Sequence, residues 1–176
     1  MSQVTEAILL IGAPGAGKSS VLEALGSMFE AEAFPFGSLE SEQLSMGWPL
    51  TPAADWVPLL EAVVQWHLRA GRQRLIVAAT PESSDELDAV VRAFGSVSVF
   101  VVALMASPDT AARRVEGREP DRWPGKAQLV SHTRDLAAAI PAFGRIALRV
   151  DTENADPGDV ARQILAEAQS CACGQS

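Results

Sequence analysis

The sequence predicts an α/β fold, a three-layer α/β/α sandwich around a five-stranded parallel sheet, and three observations point to it. Short apolar runs alternate along the chain with stretches of helical periodicity, the pattern of parallel strands joined by crossover helices. The runs are continuous rather than alternately polar, as strands covered on both faces require. At 176 residues the chain has room for one domain with a substantial core and too little for two. That single domain is expected to span residues 1–170, with 171–176 as a flexible tail.

Each element follows from its own signal. Ala7–Ile11 is a five-residue apolar run, expected as a buried central strand. From Lys18 onward Val21, Leu22, Leu25, Met28 and Phe29 keep helical spacing. Ala31–Phe36 reads as a weak second strand, and 37–54, rich in Gly, Pro and Ser, as loop or short helices. Trp56, Leu59, Leu60, Val63, Val64 and His67 mark one face of a helix that stops near Gly71. Leu75–Ala79 is the third strand. Ser83 and Glu86 have capping-box spacing ahead of the stripe Leu87, Val90, Val91 and Phe94. Val97–Leu104 is the longest apolar run and the fourth strand. Ser107-Pro108-Asp109 places a cap, a proline at the first helical position and an acid in the first turn of a helix running to about Gly117. A helix over 126–140, a strand at Ile146–Val150 and a last helix from Pro157 to about Ala168 complete the pattern.

Hydrophobic residues make up 48 % of the chain and charged ones 20 %, which excludes wholesale disorder. The net charge of −8 argues against binding nucleic acid or an anionic membrane through bulk charge. No apolar run approaches the roughly 20 residues of a bilayer span, and the N-terminus lacks a basic region ahead of its short apolar run, so a soluble, cytoplasmic protein is expected. The only cysteines, Cys171 and Cys173, supply no disulfide framework, and two ligands on a tail do not make a metal site. Residues 1–68 contain one basic residue, Lys18, against eight acidic ones, while Arg113, Arg114, Arg118, Arg122 and Lys126 form the densest cationic cluster.

The chemistry is carried by Gly12-Ala13-Pro14-Gly15-Ala16-Gly17-Lys18-Ser19, which matches G-x-x-x-x-G-K-[ST] between a predicted strand and a predicted helix. Glycines let successive N–H groups turn inward around phosphates, and the helix N-terminus adds partial positive charge. Lys18 is placed to reach the β- and γ-phosphates of ATP, and the Ser19 hydroxyl, followed by Ser20, to meet Mg²⁺. The fold expected is that of a P-loop NTPase of the nucleoside-monophosphate-kinase type. Arg114 and Arg118, four residues apart, share a helix face, where one suits stacking on a purine and the other the phosphates; favourable placement of cations at a helix C-terminus is the competing reading. Arg122 and Lys126 fall in a lid expected over about 117–128.

The carboxylate side is less regular. The third strand ends in Ala78-Ala79-Thr80, with no acid. Glu40 and Glu42 are candidates for a base or a ligand to the metal's waters, or else solvated surface acids. Asp151 either positions the nucleotide loop or caps a turn. His67 reads as a packed core histidine, and Trp48, Trp56 and Trp66 as either cleft lining or core.

Taken together these residues resemble the small P-loop kinases of the shikimate and gluconate kinase type, most closely gluconate kinase, over nearly the whole length. Beyond the P-loop, Gly47-Trp48-Pro49-Leu50-Thr51 with Asp55 and Pro58-Leu59-Leu60 resembles that family's substrate segment. Arg114-Val115-Glu116-Gly117-Arg118 matches its lid arginine pair, Leu129-Val130-Ser131 the following helix, and Asp151 the aspartate ending the last strand. Two positions depart: Ser38 stands where the family carries the aspartate that orients the acceptor hydroxyl, and Trp56 where it carries an arginine. Glu40, two residues from Ser38, is the nearest replacement base.

The resemblance implies an ATP- and Mg²⁺-dependent kinase acting on a hydroxyl of a sugar-acid-like or other small metabolite, with Lys18, Arg118 and Glu40 at the chemistry. Open alternatives are an ATP-binding module with lost or partner-dependent phosphotransfer, and an antibiotic phosphotransferase on the same scaffold. The expected partner is a small hydroxyl acceptor, with no nucleic acid and no membrane, in a monomer or homodimer.

Overall fold

Alternation along one strand sorts the layers. In β1 (Glu6–Ile11) the side chains of Ala7, Leu9 and Ile11 enter one apolar layer, and those of Ile8 and Leu10 enter the other. All five of these residues are buried, so β1 is covered on both faces. A computed structural model describes residues 6–46 and 55–173. Within them α1 (Lys18–Ala31) follows β1 and leads to β2 (Phe36–Glu40) and the short α2 (Glu42–Ser45). Then come α3 (Trp56–Arg69), β3 (Arg74–Ala79), α4 (Ser84–Arg92), β4 (Ser98–Met105) and α5 (Pro108–Arg118). The chain ends with α6 (Lys126–Ala139), a 3₁₀ turn (Ile140–Ala142), β5 (Leu148–Asp151) and α7 (Pro157–Cys173).

The five strands are parallel in the order β2-β3-β1-β4-β5. One layer packs α3, α4 and α6 on the sheet through Leu60, Val64, Leu87, Val90 and Leu136. The other packs α1 and α7 through Val21, Leu25, Phe29, Val160 and Ile164. Ile11 lies level with Ala79 on β3 and Ala103 on β4, so the carboxyl ends of the three central strands open on one edge, where an open α/β sheet holds its ligand. No helix among the described residues is long and apolar enough to cross a membrane.

The expected caps are present: the Ser83 hydroxyl accepts from the Glu86 amide and that of Ser107 from the Thr110 amide. The second strand is displaced from its expected position. Residues 31–34 end α1 instead, with Ala33 left-handed at φ 52° and the amides of Ala33 and Phe34 donating to the carbonyls of Glu30 and Phe29. That is a Schellman closure with alanine where glycine is usual. The contact that completes it is the Phe34 ring on Phe29, at 5.6 Å between centroids. The run is apolar because it closes a helix, and β2 begins only at Phe36.

Three smaller boundaries also move. β5 starts at Leu148 rather than Ile146, after a turn through Arg145 at φ 60°. The irregular part of the segment expected as a lid is confined to 119–125, because α5 continues through Arg118 and α6 starts at Lys126. α7 continues to Cys173, past the expected stop near Ala168 and into the stretch expected as a flexible tail, since no glycine or proline follows Ala168 before Gly174.

Candidate active site

The loop between β1 and α1 is held in shape by backbone constraints that only its glycines satisfy. Gly15 has φ +78°, and a Cβ there would stand 2.4 Å from the Ala111 carbonyl oxygen of α5. Gly17 caps α1 at φ +90° with open space beside it. α1 has no side-chain cap and no acid in its first turn, so its N-terminal amides meet no carboxylate of their own helix. Gly12, Ala13 and Ala16 are buried under the loop, while Pro14, Gly15, Gly17, Lys18, Ser19 and Ser20 line a cleft of about 810 Å³.

Lys18 lies at the cleft floor with its side chain only 9 % exposed. Its ammonium donates to the carbonyls of Gly12 at 2.9 Å and Ala13 at 3.3 Å and faces Glu42 at 3.7 Å. Burial pulls the Lys18 pKa down; Glu42 and Glu40 pull it back up, and Arg118 adds to the lowering. A buried ammonium of this kind gains from an anion arriving beside it.

Two ties fix the P-loop to the β5 side. The Thr152 hydroxyl is within hydrogen-bond distance of the carbonyls of Ala16 (2.9 Å) and Met105 (3.1 Å). The Arg114 guanidinium donates to the carbonyls of Gly15, Thr152 and Glu153 at 3.1, 2.9 and 2.8 Å. Glu153 accepts from the amide and hydroxyl of Ser107 and from the Thr110 hydroxyl, which draw its pKa down to about 2. Asp151 takes the turn-capping role, accepting from the Glu153 amide at 2.7 Å. Arg114 thus buttresses the loop while lining the cleft, and Arg118, one turn on, lines it too, 62 % exposed and ion-paired with Glu119 at 2.9 Å. Lys126 is held by Asp121 at 2.7 Å and by the Glu119 carbonyl at 3.0 Å.

On the β2–β3 side the acids gather. The Ser41 amide donates to the Ala78 carbonyl at 2.8 Å, which brings α2 over the end of β3. Glu42 there accepts from the Thr80 hydroxyl at 2.5 Å as well as facing Lys18. Glu40, ending β2, lines the same cleft; Ser38 is not among the lining residues. Glu82 and His132 complete the rim, with Nε2 of His132 3.0 Å from a Glu82 carboxylate oxygen.

Thr80, Glu82, His132 and Thr152 carry no sequence signal of their own: each follows a strand or sits mid-helix, and only the topology assembles them. His67 packs over Gly37 but is half-buried at the edge of the sheet rather than in the core, and Trp66 lies edge-on against it away from the cleft. Trp56 packs on the core and donates to Glu86 at 3.1 Å. Trp48 and the rest of 47–54 lie outside the described residues.

Hydroxyl and carboxylate oxygens around Lys18 form the hard donor set that suits Mg²⁺. Among the described residues no group of three or more His, Cys, Asp or Glu could hold a metal.

A family model described as AAA domain matches residues 8–139, three quarters of the chain including the P-loop. The chain belongs to this family. Among curated proteins none matches the sequence. In structure it is similar to a gluconokinase from Sinorhizobium meliloti 1021, at 24 % identity and TM-score 0.66 over 98 % of this chain and 97 % of that one. It is also similar to shikimate kinase from Acinetobacter baumannii, at 19 % identity and TM-score 0.61 over 93 % of both chains. A third likeness is to the tunicamycin resistance protein of Deinococcus radiodurans, at 16 % identity and TM-score 0.66 over 93 % of this chain and 95 % of that one. The fold of this AAA-domain chain is therefore that of the small P-loop kinases.

Proposed function

We propose that the protein is an ATP-dependent kinase that transfers the γ-phosphoryl group to a hydroxyl of a sugar-acid-like or other small metabolite. The observation that carries this reading is the buried Lys18 ammonium at the floor of a cleft with Arg118 on one rim and Glu40 and Glu42 on the other. When bound, Mg²⁺–ATP supplies the phosphoryl group. Lys18 turns from the Gly12 and Ala13 carbonyls to the phosphates, and the Ser19 hydroxyl meets the metal. Arg118 stabilises charge on the transferring group, and Glu40 orients the acceptor hydroxyl and receives its proton, so Glu40 fills the role expected of the residue at 38. The segment 119–125 acts as the lid. The tunicamycin resistance protein's likeness in fold keeps non-sugar hydroxyl acceptors within the proposal.

The test is acceptor-dependent ADP release across sugar acids, polyols, nucleosides and hydroxylated antibiotics. Release above the hydrolytic background with at least one acceptor is expected. A protein that binds ATP yet responds to none is a nucleotide-binding module instead.

A further inference from the structure

The charge along the cleft is unevenly distributed, and this bears on what the proposed kinase phosphorylates. Its cationic groups sit at the centre and on the β4–β5 side. Lys18 faces the phosphate position, Arg114 is spent on three backbone carbonyls, and Arg118 projects from the last turn of α5. On the β2–β3 side the charged side chains are Glu40, Glu42 and Glu82, and His132 there is already paired with Glu82. With Lys18 on the terminal phosphates and Glu40 the proposed base, the acceptor hydroxyl belongs on this acidic side.

The sequence closes off a hidden cation. Between Lys18 and Arg69 there is no lysine or arginine, and residues 47–54, Gly-Trp-Pro-Leu-Thr-Pro-Ala-Ala, carry no charge at all. Whatever position that segment takes, it brings no positive group to the acceptor. The lid, 119–125, holds one cation, Arg122, and its two acids are taken up by neighbouring cations, Glu119 by Arg118 and Asp121 by Lys126, so Arg122 is the one positive group it offers. On the β2–β3 side an acceptor carboxylate, phosphate or sulfate would be desolvated beside Glu40, Glu42 and Glu82, which is unfavourable, and the cations it could reach, Arg118 and Arg122, belong to the opposite rim and the lid.

We propose, on the basis of the kinase reading above, that the phosphoryl acceptor is a polyhydroxyl compound bearing no anionic group, and that an ammonium substituent improves it. This turns specificity away from the sugar acids that the gluconate kinase resemblance suggests. Glu82 is the discriminating residue: it bonds His132, whereas the acids that act on Lys18 are Glu42 and Glu40.

The experiment uses matched triads on hexose, pentose and cyclitol skeletons, each as neutral polyol, amine and acid, with acceptor-dependent ADP release read as kcat/KM at fixed Mg²⁺–ATP. The amine and the neutral member are expected to exceed the acid by at least about tenfold, with the amine above the neutral member; an amine no better than its neutral counterpart removes the ammonium preference. Glu82→Lys is expected to shift the amine-to-acid ratio by at least about tenfold toward the acid, at unchanged ATP affinity. An acid that outperforms its neutral counterpart, or a ratio that Glu82→Lys leaves unmoved, overturns the charge assignment while the kinase reading stands. If no triad member stimulates ADP release from a protein that still binds ATP, the kinase reading itself falls, and this inference with it.

Discussion

Replacing Gly15 by alanine separates two constraints on the P-loop that the structure holds together. At φ +78° an L-residue costs about 1–2 kcal/mol more than glycine. The new Cβ would also lie 2.4 Å from the Ala111 carbonyl oxygen, against about 3.3 Å for an ordinary contact of this kind. Loop or helix must therefore give by about 0.9 Å, and overpacking of this sort costs typically about 1–3 kcal/mol. The sum is about 2–5 kcal/mol, a loss of roughly 4–20 °C in Tm for a chain of this size. Because the displaced backbone is the phosphate cradle itself, ATP affinity is expected to fall at least about tenfold. Gly17→Ala is the control, with φ +90° and nothing within 4 Å of the added Cβ, so only the conformational cost of about 1–2 kcal/mol applies to the unliganded protein. Urea denaturation of both variants and calorimetric titration with Mg²⁺–ATP read the two effects. If Gly15→Ala unfolds within about 0.5 kcal/mol of Gly17→Ala, the loop does not press on α5 and the reasoning fails.

Other consequences are as direct. Ala33→Gly relieves the left-handed alanine of the Schellman closure and is expected to raise stability by about 1 kcal/mol, checked by thermal melting; a loss would mean that 31–34 is not a helix end. Glu153 has its pKa lowered from 4.5 to about 2, so its contribution to stability is complete above pH 4.5 and lost as pH falls through 2. Glu153→Gln should melt below wild type at pH 6 and converge with it near pH 2, and parallel curves across that window would remove the carboxylate from the buttress. Glu40→Gln is expected to lower acceptor-dependent phosphorylation by at least about tenfold with ATP affinity nearly unchanged, and full activity on a confirmed acceptor would make Glu40 a surface acid.

What the sequence made legible was whatever is encoded by neighbours in the chain. The P-loop is contiguous, because one loop must wrap one phosphate chain, and so it is readable residue by residue. The caps at Ser83 and Ser107 are local for the same reason. β2 was misplaced because two cues pointed the wrong way. Ala31 and Phe34 look like strand residues but close a helix, whereas Gly37 and Ser38 look like loop but lie in an edge strand where Gly37 makes room for the His67 ring. The acidic rim was legible only in part: Glu40 and Glu42 stand out in the sequence as candidates, and the residues that join them do not. Thr80, Glu82 and His132 reach the cleft from the end of β3 and the middle of α6, brought together by the strand order alone. Arg114 shows the converse: its spacing to Arg118 suggested a shared ligand, yet its donors meet backbone carbonyls of the loops it joins.

The central claim is that Lys18 is poised for a nucleotide's phosphates, and calorimetric titration of the wild type and Lys18→Ala with Mg²⁺–ATP tests it most directly. Removing a buried ammonium whose pKa burial lowers should leave the fold intact, so the variant reports on binding rather than on unfolding. The wild type is expected to bind, with a thermal upshift at millimolar ATP, and Lys18→Ala to lose both the heat and the upshift. Absence of nucleotide binding by the intact protein, or equal binding by the two, would contradict the account.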